Sequence, residues 1–366
     1  MKKILVVGQT PPPYHGQALS TERFLNGSYK SIDLFHVRMS FSETIDEIGK
    51  FKIQKIKELF RLITSIIFNK YKFSIPILYY MPACSGRLPF YRDVVILITT
   101  RWLFKTTVFH FRSAGIEDVY KHLTGIERIL FRMVYFEPDL AIQLSEYNPP
   151  DGEFIKAKKI TSVPNGIHDH YTEFGTGYNK DNNSLNLLYI GSIRETKGVF
   201  DLLEACDKLK EKFDFTLFLV GQFADKVTKD RVYKTVKEMN LTDKVVITGE
   251  LTGSEKWKIF NKTDVLCFPT YYENESFGNV LLEAMQFKIP IVATNWRAVG
   301  SIVEDGRNGY LVPIRNPEKI AEKIEHLYKY PSMRKNMGEN GRKSYLMNYS
   351  IEKFHENMGR AFTHLD

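Results

Sequence analysis

At 366 residues, 43% hydrophobic and 26% charged, the chain has a soluble globular composition and is long enough for two domains rather than one. Its net charge of +8, from 51 basic and 43 acidic residues, suits an anionic substrate or an anionic membrane surface. No uncharged apolar run of about 18 residues occurs, and the apolar part of Met1–Gly8 is too short for a secretion signal, so a cytoplasmic protein is expected. Cys84, Cys206 and Cys267 are far apart and form no CxxC pair, which argues against a disulfide scaffold or a structural zinc site.

In chain order, Lys3–Val7 (KILVV) reads as a first buried strand, and a helix follows from about Leu19 to Leu25. The connection between them runs from Gly8 to Gly16, is too wide for GxGxxG and holds three prolines, which argues against an NAD site. It is also longer than a βα turn requires, and it presents His15 and Gly16. Leu34–Met39 is a second strand. Ile45–Phe73 is a basic amphipathic segment in which Lys50, Lys52, Lys55, Lys57, Arg61, Lys70 and Lys72 face a single Glu58. Its apolar residues recur at helical spacing. Such a helix can lie on an anionic bilayer or bury its apolar stripe in a core, and both readings stay open. No nucleic-acid reader motif accompanies it, so nucleic acid is not an expected partner. Ile75–Met81 is the next strand, Arg92–Phe104 a helix, and Lys105–Phe111 a strand that carries His110 to its carboxyl end, with Arg112 just beyond. A lone histidine is usually structural, but strand ends are where open α/β sheets bind ligands. Asp139–Ser145 and Lys159–Val163 are further strands, and Asn165-Gly166 favours a tight turn.

Residues of about 168–184 are polar and rich in Gly and Asn, as an interdomain linker would be. A second α/β domain then begins with the strand Leu185–Ile190. After it, Arg194 and Lys197-Gly198 precede a helix start, where two cations can neutralise a diphosphate without metal. Phe215–Val220 and Val245–Thr248 are strands, the latter ending in Gly249-Glu250-Leu251; Ser254–Phe260 is a short helix. Val265–Pro269 is a strand, Thr270–Phe277 a polar aromatic loop, and Gly278-Asn279 opens a helix, with the next strand at Ile289–Thr294. Glu275 lies in that loop and Glu283 eight residues on, inside the helix. Between them the unpaired N–H groups near Phe277, Gly278 and Asn279 form a site for phosphate, and Gly278 lets an anion approach closely. A carboxylate on each side of a phosphate nest suits a ligand with hydroxyls at both ends of a diphosphate, such as a nucleotide sugar. Helices are expected over about 317–330, 332–346 and 351–364.

The pattern P-x5-E-x-F-G-x4-E-A around Glu275 and Glu283 resembles the signature of glycosyltransferase family 4, a family of retaining enzymes of the GT-B fold. The resemblance implies two Rossmann-like α/β domains facing each other across a cleft: an acceptor-side domain over 1–168, onto which the helix at about 350–366 packs back, and a nucleotide-sugar domain over 185–345. It implies that Glu275 holds the donor sugar, Glu283 the ribose hydroxyls, and Lys197 the diphosphate. It also implies that the Gly249-x-Leu251 turn holds the nucleobase, that His110 sits beside the donor sugar, and that the glycine loop at Gly16 touches donor phosphates or acceptor. His15 and Arg112 fall on the acceptor side. The sequence departs from the family in having Ser192 where an arginine usually follows the glycine, leaving Arg194 as the nearest arginine, and in having Lys288 where a glycine is usual.

The implied reaction moves a sugar from a nucleoside diphosphate sugar to a hydroxyl of a glycan or lipid-linked glycan, with retained configuration, as in bacterial surface-polysaccharide synthesis. No D-x-D motif is present, so neither metal nor cofactor is expected, and Lys197, Arg194 and the helix start at Gly278 would stabilise the leaving diphosphate. A nucleotide-sugar epimerase would instead turn over its substrate without an acceptor. A phosphorylase of similar fold needs a pyridoxal-phosphate lysine that the sequence does not reveal. A non-catalytic sugar-nucleotide-binding subunit would not need Lys197, Glu275 and Glu283 together.

Overall fold

The structure is a computed structural model that describes residues 1–12, 16–41, 54–84, 86–175, 184–363 and 365. The chain divides into two compact units, one formed by Met1–Asn165 with Ile351–Asp366, the other by Gly166–Ser350.

The first unit runs β1 (Lys2–Gly8), α1 (Gly16–Leu25), β2 (Ile32–Arg38), α2 (Gln54–Lys72), β3 (Ile77–Tyr80), α3 (Arg87–Thr100), β4 (Thr106–His110), α4 (Ile116–Lys121), α5 (Gly125–Tyr135), β5 (Leu140–Gln143), α6 (Asp151–Phe154) and β6 (Ile160–Ser162). Its six strands form a parallel sheet in the order β2-β1-β3-β4-β5-β6. Because side chains alternate across a strand, Leu5, Val7, Leu78, Tyr80 and Phe109 meet α2, α3 and α5 on one face. Ile4, Val6, Ile77, Tyr79 and Val108 meet Phe24 of α1 on the other. Both faces are covered, which is why these strands read as continuous apolar runs. Helix α3 starts at Arg87, five residues before the expected Arg92; Pro89 fits because the first turn has no partner for its missing N–H.

The second unit continues with α7 (Tyr171–Phe174), β7 (Ser184–Ile190), α8 (Val199–Leu209), β8 (Asp214–Val220), α9 (Lys226–Glu238), β9 (Val245–Gly249), α10 (Gly253–Lys262), β10 (Val265–Phe268), α11 (Asn279–Gln286), β11 (Ile291–Thr294), α12 (Val299–Ile302), β12 (Gly309–Val312), α13 (Pro317–Lys329) and α14 (Pro331–Asn348). Its parallel sheet has the order β12-β11-β10-β7-β8-β9. The start of the stretch expected as a linker is packed here. Asp169 accepts a two-pronged ion pair from Arg342 (2.5 and 2.8 Å), and the His170 amide donates to Gln286 Oε1 at 2.6 Å.

The last helix, α15 (Ile351–Thr363), belongs to the first unit. It buries Ile351, Phe354, Met358 and Phe362 against Ile4, Val6 and Phe24, and Phe362 stacks on Phe24 with ring centroids 6.0 Å apart.

Candidate active site

Strand order decides where a ligand can enter the second unit. The chain winds from β7 outward through β8 and β9, then returns to lay β10 on the other side of β7. The sheet therefore reverses its winding between β7 and β10, and the loops leaving the carboxyl ends of such a pair splay apart to form a crevice.

The loop after β7 carries Arg194 and Lys197, and the loop after β10 carries Thr270–Phe277. Two features press them together. Gly198 takes a left-handed φ of 75°, and a Cβ there would lie 2.1 Å from the Pro269 carbonyl oxygen, so only glycine fits. The Tyr271 amide donates to the Thr196 carbonyl at 2.9 Å. Lys197 Nζ consequently forms an ion pair with Glu275 Oε2, to which the Thr270 hydroxyl also donates at 3.3 Å. The pair is mostly withdrawn from water, the side chains being 20% and 9% exposed. Tyr272 forms the wall: its ring lies 5.1 Å from Lys197 Nζ and 5.2 Å from the Arg194 guanidinium. Its carbonyl accepts from the Trp296 indole N–H at 2.8 Å. Arg194 and Lys197 thus share one aromatic face, and the buried Nε of Arg194 has no hydrogen-bond partner among the described residues.

Gly278 supplies the helix start. Its φ of 84° is left-handed, and α11 begins at Asn279 with no side-chain cap, the Leu281 amide donating to the Gly278 carbonyl at 2.9 Å; the positive end of a helix favours an anion. Phe277 is buried against Tyr349, so only its backbone can serve a ligand. Glu283 is buried on α11 and accepts from Lys256 Nζ of α10 at 2.6 Å. Gly249 is left-handed at the end of β9, φ 74°, and Leu251 is half-buried beside it.

Three participants carry no local sequence signal. Lys256 lies 27 residues from Glu283, and Thr270 and Tyr272 belong to no recognisable spacing. Arg297 is a fourth: it follows β11, adopts a left-handed φ of 47°, and its buried Nε and Nη1 have no hydrogen-bond partner among the described residues. A left-handed non-glycine residue with two buried guanidinium nitrogens that lack a hydrogen-bond partner among the described residues is a mark of a functional site.

In the first unit, His110 ends β4 fully buried, its Nδ1 2.6 Å from the Tyr79 hydroxyl. Arg112, all donor, interacts with that same hydroxyl and donates from Nη1 to Asn165 Oδ1 at 2.6 Å. The tyrosine proton is therefore directed at Nδ1, which assigns the imidazole proton to Nε2. Nε2 meets no partner among the described residues. Burial, reinforced by Arg112, pushes the His110 pKa well below its usual value, so the ring is neutral and offers an N–H rather than a base. Gly16 opens α1 with open space where a Cβ would stand. His15 lies outside the described residues.

The chain is similar to known proteins in sequence and in fold. Residues 173–344 match the family model of glycosyl transferases group 1. The chain is 24% identical over 345 residues to the N-acetyl-alpha-D-glucosaminyl L-malate synthase of Bacillus anthracis, covering 93% of this chain and 77% of that protein. It is 29% identical over 163 residues to the capsular polysaccharide biosynthesis glycosyltransferase CapM of Staphylococcus aureus, covering 44% and 41% respectively. The fold is that of Anabaena HepE, solved in complex with UDP, at a TM-score of 0.75 and 14% identity over the full length of both chains. The two parallel-sheet domains are those of the GT-B fold, residues 173–344 are a glycosyl transferases group 1 domain, and the chain that carries it is a glycosyltransferase.

Proposed function

We propose that the protein is a retaining glycosyltransferase that takes a sugar from a nucleoside diphosphate sugar and places it on a hydroxyl of a glycan or lipid-linked glycan in polysaccharide synthesis. The observation that carries this reading is the Lys197–Glu275 pair on the Tyr272 wall, beside the uncapped start of α11. In this structure the lysine neutralises the glutamate. A diphosphate arriving at the helix start competes for Lys197, freeing Glu275 to accept hydrogen bonds from the hydroxyls of the donor hexose. Glu283, held by Lys256, faces the same task at the ribose. Gly249 and Leu251 hold the base.

As the glycosidic bond to the diphosphate breaks, negative charge grows on the leaving oxygens. Lys197, Arg194 and the N–H groups at Gly278–Asn279 stabilise it without reorganising, and no metal is required of them. Arg297 is a further cation at the same edge of the sheet. No carboxylate here is free to act as base, so the leaving phosphate takes the acceptor's proton on the face it departs from. His110 contributes its Nε2–H to an outer hydroxyl of the sugar, and Arg112 acts through Tyr79. HepE, of the same fold, is solved with UDP and with UDP-glucose, and CapM is named for capsular polysaccharide; both support this donor and acceptor class.

The test is a thermal-shift screen of the intact chain against a panel of nucleotide sugars, since a ligand that binds only the folded state raises apparent stability. One family of sugars should raise the melting temperature, and Glu275→Ala should reduce that response, while the unliganded melting temperature falls by only the roughly 2–8 °C expected from breaking the partly exposed ion pair with Lys197. NMR of the product should show the donor's anomeric configuration. A panel without response, turnover of the donor with no acceptor present, or an inverted product would overturn the reading.

A further inference from the structure

Helices α2, α3 and α5 lie side by side on one face of the first unit's sheet, with α3 in the middle. Each buries one apolar stripe beneath: Leu62 and Ile66 of α2, Phe90 and Leu97 of α3, Phe131 and Val134 of α5. Each also carries a second apolar stripe that faces water. On α2, Phe60, Phe68 and Tyr71 are 67%, 60% and 65% exposed. On α3, Leu88, Tyr91, Val95 and Ile98 recur at helical spacing and are all exposed, with Trp102 just beyond at 74%. On α5, Ile126, Ile129 and Met133 do the same. Scattered exposed apolar residues are ordinary, but aligned stripes on three adjacent helices are not.

The charges among them have one sign. Lys57, Arg61, Lys72, Arg87, Arg128 and Arg132 are exposed on these helices. The acids of the described residues in the same helices are withdrawn: Glu58 is half-buried and paired with Arg61, while Asp93 and Glu127 are buried. We propose that the outer surface of α2, α3 and α5 is a docking face for an anionic lipid bilayer, the apolar stripes entering the acyl boundary and the cations pairing with lipid headgroups. A second copy of the chain is disfavoured as the occupant because a two-fold interface would set these cations against their own equivalents. The bilayer reading accounts for both apolar stripes of α2, one in the core and one on the surface.

The test is flotation of the full chain with phosphatidylcholine vesicles and with vesicles that also contain phosphatidylglycerol. Binding should need the anionic lipid and should weaken with salt. Phe60→Glu, Val95→Glu and Ile129→Glu, one on each helix, should each reduce bound protein about tenfold or more, the worth of one buried large apolar side chain. All three should retain the wild-type melting temperature and its response to nucleotide sugar, because their sites lie in the first unit and the donor residues in the second. Wild-type protein that stays unbound at low salt would overturn the proposal. So would flotation that survives all three substitutions, or sedimentation showing a stable dimer that they dissociate.

Discussion

Replacing Lys197 with alanine separates the chemistry of the site from its stability. The lysine makes a partly buried ion pair with Glu275, whose other hydrogen bond here comes from Thr270 at 3.3 Å. Breaking a fully buried pair costs about 3–5 kcal/mol because the remaining charge is stranded. Lys197 is 20% exposed, so water can enter in its place, and the loss should fall to about 1–2 kcal/mol. At about 2–4 °C per kcal/mol for a domain of this size, the melting temperature should drop by roughly 2–8 °C. Transfer should suffer far more. Loss of one preorganised donor to a developing oxyanion costs about 3–4 kcal/mol, or roughly 10²–10³ in kcat. The assay is release of nucleoside diphosphate from the donor identified by thermal shift, well below the variant's melting temperature. A kcat within about fivefold of wild type would refute the assignment of Lys197 to the leaving group, whatever the change in stability.

Two further predictions concern positioning and protons. Gly198→Ala should lose at least ~1 kcal/mol from its left-handed backbone alone, and the collision with the Pro269 carbonyl should displace Lys197, so that kcat falls although no ligand-contacting side chain has changed; unaltered turnover would show that the close approach is incidental. His36, His110 and His170 all have pKa values lowered by burial, so below about pH 6.5 the unfolded chain binds protons that the folded chain refuses. Stability should therefore be fully present above that pH and decline as pH falls from it, and His110→Asn should flatten the decline measured by urea unfolding at pH 7.5 and 5.5. An unchanged slope would mean that His110 is not held neutral.

The inner parallel strands were legible because both sheet faces are covered, which makes β1, β3, β10 and β11 apolar runs that end at or adjoin glycine or proline. The residues proposed to hold the donor could be picked out because Lys197, Glu275, Gly278 and Glu283 occupy one turn and one loop-to-helix junction, where local spacing carries the geometry. Helix α9 escapes such a reading because it buries only Val232 and Val236, while Val227 and Tyr233 of the same helix are exposed and break the apolar period. Lys256, Thr270 and Tyr272 escape it because tertiary packing alone joins them to their carboxylates or cations. The basic segment shows the limit of periodicity: on α2, apolar spacing cannot tell the stripe of Leu62 and Ile66, which enters the core, from that of Phe60, Phe68 and Tyr71, which does not. Arg297 looks like an ordinary loop arginine until its backbone conformation and unpaired nitrogens are seen.

The placement of α15 bears on how the polypeptide matures. The first unit draws on residues from both sides of the second, and α15 covers Ile4, Val6 and Phe24. During synthesis, every residue of the second unit emerges before the helix that seals the first. The usual amino-to-carboxyl order of domain maturation is thus reversed here, and the earlier-made sheet must wait with one side covered only by α1. That interval is when a chaperone would find its apolar surface, and a truncation after Ser350 would prolong it indefinitely.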